Sequence, residues 1–169
     1  QHPKIDWIKP ALDAFYRQGL VTDILREVKS GKEATVFLCQ PHPSLGADSL
    51  ALKVYSPAMF RRMRGDRVYR LGRQSTLPRR TVSRDRSALL AETKNPRGRN
   101  AQFAQWVDYE YTTHLELYQA GARVPRPYAH HGNAILMEFL GDNNGVAPML
   151  HNIDLSPRLA QTLFDRLIN

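Results

Sequence analysis

The chain has 169 residues, of which 42% are hydrophobic and 24% charged, so it can bury one core and is too short for two domains of ordinary size. Cys39 is the only cysteine, which excludes an intramolecular disulfide framework and a cysteine-rich zinc site. No apolar run reaches the roughly 18 residues of a membrane span and no signal peptide is recognisable, so we expect a cytoplasmic protein without membrane contact.

The net charge of +8 is concentrated in one segment of the chain. Residues 61–100 contain 13 lysines and arginines against 3 acidic residues, whereas the rest of the chain has 11 basic and 13 acidic residues. The wider stretch 56–100 has few aliphatic residues and several Gly and Pro residues. We therefore expect much of it to be mobile or ordered only by a partner.

One helix and three strands are predicted before this basic segment. Residues 1–19 form an N-terminal helix that ends at Gly19 and is kinked or restarted at Pro10. Its apolar residues recur at helical spacing, namely Ile5, Ile8, Leu12 and Phe15. β-branched and aromatic residues then favour a strand from Val21, a turn, and further strands at 35–39 and 50–55, which together form an antiparallel meander.

A helix, an extended linker and a buried strand are predicted after the basic segment. Apolar residues recur at helical spacing from Phe103 onward, and Gly121 would end this helix. The prolines at 125 and 127 hold the residues before them out of the helical region, so 124–127 is extended. The apolar run 134–140 indicates a buried strand.

The C-terminal part is predicted to be a polar loop through Gly145 followed by a final helix. Proline is favoured in the first helical turn, so the helix would start near Pro157 and run to Asn169. Either Asp154 or Ser156 would cap it.

Six histidines are the remaining candidates for metal binding. The only close pair is His130-His131, and adjacent side chains suit a surface turn better than a shared metal ion. No metal site is predicted in this chain.

One turn and two charged residues stand at positions that suit phosphate chemistry. The turn Lys29–Thr35 joins two strands, and its Gly31 lets backbone N–H groups approach an anion. Lys53 shares a strand face with Ala51, so its ammonium would enter the space below this turn. Glu110 lies on the second helix, where an inward-pointing carboxylate needs a cation partner. A Lys53–Glu110 pair would satisfy both charges and hold the lysine against nucleotide phosphates.

Each of these residues also has an ordinary structural interpretation. Lys53 could be an edge-strand lysine that points to solvent, and Glu110 could be a solvated helix charge. Met137 is a residue type that commonly fills core gaps. Taken singly, the residues leave these alternatives open.

Taken in order, the residues resemble the RIO family of atypical protein kinases. In that family the phosphate-binding turn reads S-T-G-K-E-A-N, and Lys29–Thr35 reads K-S-G-K-E-A-T, which departs from it at the first, second and last positions. The resemblance covers about residues 20–169. It continues through A-L-K-V-Y at 51–55, W-x-x-x-E at 106–110, A-G-x-x-V-P-x-P at 120–127, I-L-M-E-F-L-G at 135–141 and A-P-M-L at 147–150.

This resemblance implies an α+β, protein-kinase-like fold. Residues 20–141 would form a kinase N-lobe with an antiparallel sheet and a Glu-bearing helix, interrupted by the basic insert 56–100. Residues 137–141 would be the hinge, and residues 142–169 would begin a helical C-lobe.

The resemblance also implies an ATP site. Lys53 would contact the α- and β-phosphates, and Glu110 would be its ion-pair partner, which makes these two the expected catalytic residues. Ser30 and Lys32 would lie over the phosphates. The adenine would be held by Val28, Val36 and Ala51, by Met137 as the gatekeeper, and by backbone groups of Glu138 and Leu140.

The remaining groups for phosphoryl transfer are not found in the sequence. The family's catalytic loop reads H-x-D-L-S-E-x-N, whereas the nearest stretch, His151–Pro157, has one residue too many between His and Asp and a proline in place of the Glu. No D-F-G-type aspartate follows it. We expect the catalytic loop and the Mg²⁺ ligands to lie beyond residue 169 of a longer parent, so that this chain alone is inactive.

Two functions follow from these observations. The first is the ATP-binding portion of a RIO-type serine/threonine kinase or ATPase, whose parent transfers the ATP γ-phosphate to an unidentified protein or to itself. The alternative is a non-catalytic nucleotide- or RNA-binding module, associated with ribosomes through the arginines and Tyr69 of 61–100. This insert could also be a plain solvated loop. In the family it often carries an autophosphorylation site, for which the candidates here are Ser75, Thr76, Thr81, Ser83 and Ser87.

Overall fold

The structure is a computed structural model that describes residues 8–56, 96–142 and 145–168. The predictions made for Ile5 and for the basic stretch 57–95, including its five candidate phosphorylation sites, lie outside the described residues. In chain order the helices and strands are α1 (Lys9–Arg17), β1 (Val21–Ser30), β2 (Ala34–Pro41), β3 (Leu50–Tyr55), α2 (Pro96–Gln119), β4 (Pro127–His131), β5 (Ala134–Glu138), β6 (Gly141–Asp142), β7 (Gly145–Val146) and α3 (Pro157–Ile168).

Five of the strands form one antiparallel sheet in the order β1-β2-β3-β5-β4. The first three strands are neighbours in sequence order, which confirms the predicted meander. β5 then pairs with β3, so that Leu52 lies opposite Leu136. β3 is therefore the central strand of the sheet and has a hydrogen-bonded neighbour on each side.

The predicted extended linker leads into an additional strand. Pro127, the last residue of the predicted linker, is the first residue of β4 and lies opposite Met137 of β5. Proline is tolerated there because β4 is an edge strand and Pro127 is its first residue. The X-Pro pattern indicated the extended backbone but carried no information about its pairing.

Helix α1 packs against one face of the sheet. Ile8, Leu12 and Phe15 are buried together with side chains of the central strands, among them Phe37, Cys39, Leu50, Leu52, Val54 and Leu136. Pro10 occupies the first turn of the helix, where its missing N–H costs no hydrogen bond. Gly19 follows the helix with a φ of 65°, a left-handed conformation that suits glycine.

Helix α2 packs against side chains from the other face. Phe103 and Val107 of this helix form a second buried cluster with Tyr55 and Ile135 of the sheet. Because side chains alternate along a strand, residues 50, 52 and 54 of β3 point to the α1 cluster and residues 51, 53 and 55 point to the opposite face. The sheet is thus enclosed by helices on two sides.

Helix α2 begins at Pro96, so its first residues lie within the stretch 56–100. We expected much of that stretch, though not all of it, to be mobile or ordered only by a partner. Proline is favoured at the first helical position and arginine is a good helix former, so these local preferences outweigh the signal from the excess of charge. The predicted end of the helix is confirmed, since Gly121 follows it with a φ of 83°.

Residues 140–169 form a compact unit separate from residues 1–139. The predicted polar loop contains a short hairpin in which β6 pairs with β7 and Gly141 lies opposite Val146. The Ser156 hydroxyl accepts a hydrogen bond from the Leu159 N–H at 3.4 Å, so Ser156 rather than Asp154 caps α3. Within the described ranges, no helix is long and apolar enough to cross a membrane.

Cys39 is expected to resist thiol reagents while the chain is folded. It is fully buried in the α1 cluster, and this burial raises the pKa of its thiol to about 12. Since the thiolate is the reactive form, alkylation by iodoacetamide at about pH 8 should be at least about a hundredfold slower than in concentrated guanidinium chloride. Mass spectrometry would measure both rates. Equal rates would show that α1 does not cover this part of the sheet.

Candidate functional site

The three central strands bring four of the predicted site residues onto one face of the sheet. Lys53 lies directly opposite Val36 of β2, and Ala51 lies directly opposite Met137 of β5. Directly opposite residues of an antiparallel pair share a face, as do alternate residues of one strand. Val36, Ala51, Lys53 and Met137 therefore form one surface, hereafter the sheet-face group. Ala51 is buried, and the other three are half-buried.

Lys53 is held by an aromatic ring rather than exposed at an edge. Its Nζ lies 4.7 Å from the centroid of the Tyr55 ring, two residues further along the same strand face. An ammonium over an aromatic face is attracted by the ring quadrupole. β3 is also the central strand, so the alternative of an ordinary edge-strand lysine does not apply.

Tyr55 connects this lysine to helix α2. Its ring is buried and meets the Trp106 ring edge-on, with centroids 4.8 Å apart and an interplanar angle of 89°. The backbone of Tyr55 is fixed as well, because its carbonyl accepts a hydrogen bond from the Asn133 side chain at 2.9 Å. The strand end that carries Lys53 is thus tied to α2 and to the turn between β4 and β5.

Glu110 lies one helical turn after Trp106 on α2 and is half-buried. Its helix is fixed to the sheet through Phe103 and Val107. This places the carboxylate on the helix that contacts the Lys53 strand. Lys53 contacts the Tyr55 ring, and the Lys53–Glu110 ion pair stays a prediction.

The predicted phosphate-binding turn is a tight connection between β1 and β2. The Gly31 N–H donates to the Ala34 carbonyl at 2.9 Å, and the Ser30 and Thr35 hydroxyls lie 3.2 Å apart. Lys32 is exposed in this turn. The next predicted residue, Val28, is half-buried at an irregularity of the β1–β2 pairing.

Glu138 and Leu140 belong to different compact units. The Glu138 N–H donates to the Arg126 carbonyl at 2.8 Å, and its carboxylate accepts from the Arg126 N–H at 3.0 Å. Leu140 begins the second unit, where its carbonyl accepts from the Ala147 N–H at 2.9 Å. The double contact with Arg126 fixes the end of β5 directly after Met137.

Sequence reasoning missed a contact between α2 and β4 made by His130. Its Nε2 lies 2.9 Å from Oδ1 of Asp108, and its ring stacks on the Tyr111 ring with centroids 4.5 Å apart. The expected surface turn at His130-His131 is wrong, because both residues belong to β4 and the turn follows them. Strand alternation would have placed the two side chains on opposite faces, but no sequence signal indicates the helix that one of them meets.

Comparison with known proteins gives a consistent family signal. The family model of the RIO domain matches residues 53–169. The chain is 25% identical over 158 residues to the serine/threonine-protein kinase RIO1 of Caenorhabditis elegans and 24% identical over 158 residues to that of Homo sapiens. These alignments cover 90% and 89% of the chain but 26% and 23% of the relatives, so the chain spans about a quarter of their length.

Two solved structures share the fold. The Rio2 kinase of Chaetomium thermophilum, in an ADP/Mg²⁺-phosphoaspartate complex, superposes with a TM-score of 0.59 at 18% identity, covering 99% of this chain and 40% of that one. A second structure of the same kinase gives a TM-score of 0.54 at 18% identity, covering 93% and 38%. The predicted α+β, kinase-like fold is confirmed.

Proposed function

Because the chain belongs to the RIO kinase family, we propose that it is the ATP-binding portion of a RIO-type serine/threonine protein kinase or ATPase. In a longer parent the bound ATP would give its γ-phosphate to a protein hydroxyl or to the kinase itself. The 169 residues contain no H-x-D-L-S-E-x-N loop, so this chain is expected to bind nucleotide without transferring phosphate.

The observation that carries this proposal is the sheet-face group. Val36, Ala51 and Met137 supply an apolar surface of the kind that encloses a nucleobase. Lys53 supplies one half-buried positive charge beside that surface, within one strand spacing of Val36. An apolar base next to an anionic phosphate chain requires this combination of surfaces.

The hydrogen bonds at the end of β5 support a particular adenine contact. The Glu138 N–H is already bonded to Arg126, so its carbonyl is the group that would accept from the adenine amino group. The contact assigned to the Leu140 backbone stays a prediction. Ser30 and Lys32 would approach the phosphates from the β1–β2 turn, whose exposed lysine can reorient at little cost.

Mg²⁺ would accompany the nucleotide and neutralise its phosphate charge. Among the described residues no group of three or more His, Cys, Asp or Glu side chains could hold a metal ion. The described part of the chain therefore does not fit a complete magnesium site, and no catalytic step is assigned to the metal.

Lysine footprinting tests nucleotide binding at this site. At an MgADP concentration ten times the dissociation constant, acetylation of Lys53 should slow about tenfold, since only the free fraction reacts. Lys9, an exposed residue of α1, is the matched control and should react at an unchanged rate. Mass spectrometry of the modified peptides reads both residues in one sample. Saturating MgADP that leaves the Lys53 rate unchanged would contradict the proposal.

A further inference from the structure

One imidazole links helix α2 to the edge strand of the sheet through two different contacts. In the neutral ring, the Nε2–H of His130 can donate to the Asp108 carboxylate, and the two atoms are 2.9 Å apart. The ring also stacks on Tyr111 at 4.5 Å, with an interplanar angle of 17°. His130, Asp108 and Tyr111 are hereafter the His130 clamp.

The His130 clamp restrains the rotation of α2 as well as its distance from the sheet. Asp108 and Tyr111 are three residues apart, so they are neighbours on one side of the helix. The Asp108 carboxylate contacts the edge of the imidazole, and the Tyr111 ring contacts its face. If the helix turned about its axis, it could not keep both contacts, because they constrain the ring in perpendicular directions.

This restraint acts at the position of Glu110. The residue lies between Asp108 and Tyr111 in the sequence, and Trp106 contacts Tyr55 one turn earlier. Each helical residue advances about 100° around the axis, so the rotation that satisfies the clamp also sets the direction of the Glu110 side chain. The helical turn that carries Glu110 is therefore restrained at its start by the contact of Trp106 with Tyr55, and further along by the His130 clamp.

We propose that His130 is a positioning residue that fixes the rotation of α2 and thereby the presentation of Glu110 to Lys53. The proposal rests on the proposed function, because this orientation matters only if Lys53 binds nucleotide phosphates. The contacts of His130 are with Asp108 and Tyr111 of α2. His130 acts through the helix that carries Glu110.

The clamp should respond to pH in a defined direction. Burial lowers the pKa of His130 below its usual value near 6.5, and this effect exceeds the opposing attraction of Asp108. Among the described residues, the titratable groups acting on the ring are Asp108 and Tyr111 of α2 and His131 of its own strand, whereas β5 places the apolar Ile135 opposite. Protonation is therefore easier when the ring is released to water, so acid favours the undocked helix.

The experiment compares four forms of the chain. They are the natural chain, His130→Ala, Asp108→Ala and the control His131→Ala, which alters the exposed neighbour on the same strand. Asp108 is largely exposed and alanine is the best helix former, so Asp108→Ala removes the clamp without weakening the helix itself. The readouts are amide hydrogen exchange along 103–119 and MgADP affinity at several pH values from about 8 to about 5.5.

We expect both clamp variants to exchange faster along α2 and to bind MgADP about tenfold more weakly at about pH 8, and at that pH His131→Ala should match the natural chain. The natural chain should lose affinity as the pH falls through the His130 range, and His130→Ala should lose less. A purely structural contact would change exchange without changing this pH profile.

Two results would overturn the proposal. One is unchanged exchange along α2 in folded His130→Ala or Asp108→Ala. The other is unchanged MgADP affinity in these variants when the natural chain binds. A natural chain that binds no MgADP refutes the proposed function instead, and the exchange data then decide by themselves whether the clamp holds the helix.

Discussion

Replacing Lys53 with methionine is expected to weaken MgADP binding by about tenfold to a hundredfold, the equivalent of one charge-assisted hydrogen bond to phosphate at about 1.5–3 kcal/mol. The change should leave folding almost intact. Methionine keeps a long, flexible stem beside Tyr55, and the cation–π interaction of Lys53 at this half-buried position stabilises the fold by only about 0.5–1 kcal/mol. Titration calorimetry and thermal unfolding of the same samples measure the two effects separately.

Lys9→Met is the matched control for this substitution. It removes the same charge from the opposite side of the molecule and should change neither affinity nor unfolding. In a longer parent that carries the catalytic loop, we expect Lys53→Met to abolish phosphoryl transfer. Full affinity in the short chain, or full activity in the parent, would remove Lys53 from the site.

Replacing Phe15 with alanine is expected to lower the free energy of unfolding by about 3–5 kcal/mol, as for other large aromatic side chains in well-packed cores. Phe15 is 0% exposed and packs in the cluster that joins α1 to β2, β3 and β5. The decrease is large against the roughly 5–15 kcal/mol that stabilises a typical domain. Urea unfolding followed by circular dichroism would measure it.

Tyr16→Ala is the control for this second prediction. It truncates an aromatic residue of the same helix turn that is 36% exposed, so we expect a decrease of about 1 kcal/mol or less. Similar decreases for both variants would mean that α1 is not part of the core. Because the RIO-domain match begins at Lys53, the same result would also mean that the matched segment does not depend on α1.

The RIO-domain match begins later in the chain than the residues that form the buried core. Lys53 stands in the middle of β3, and one neighbour of that strand is β2, which lies before the matched segment. Val36, the partner of Lys53 in the sheet-face group, is on β2. A fragment that begins at Lys53 would lack this half of the nucleotide surface and the α1 cluster below it.

Much of the fold was predictable because its signals are local. The meander of β1, β2 and β3 follows from β-branched runs separated by turn residues, and Gly19 and Gly121 ended their helices as expected. Strand alternation placed Ala51 and Lys53 on one face without knowledge of the other strands. The ordered motifs predicted the family, and the RIO-domain match confirmed it.

Other features depended on partners that are distant in sequence. The X-Pro pattern could not indicate that Pro127 pairs with Met137, and the charge of 56–100 concealed the first turns of α2. His130 and Asp108 are 22 residues apart in the sequence, and neither helical nor strand periodicity indicates that they are in contact.

The sequence by itself determined α1, the strands β1, β2, β3 and β5, most of α2 and α3, together with their order, the family and the residue types that suit a nucleotide. The tertiary structure decided which of these residues meet: Lys53 rests on Tyr55, the sheet-face group spans three strands, and His130 holds α2. The physical reason is that helical and strand periods, caps and turns depend on neighbours within a few residues. Pairing between strands and packing between a helix and a sheet are set by burial across the whole chain.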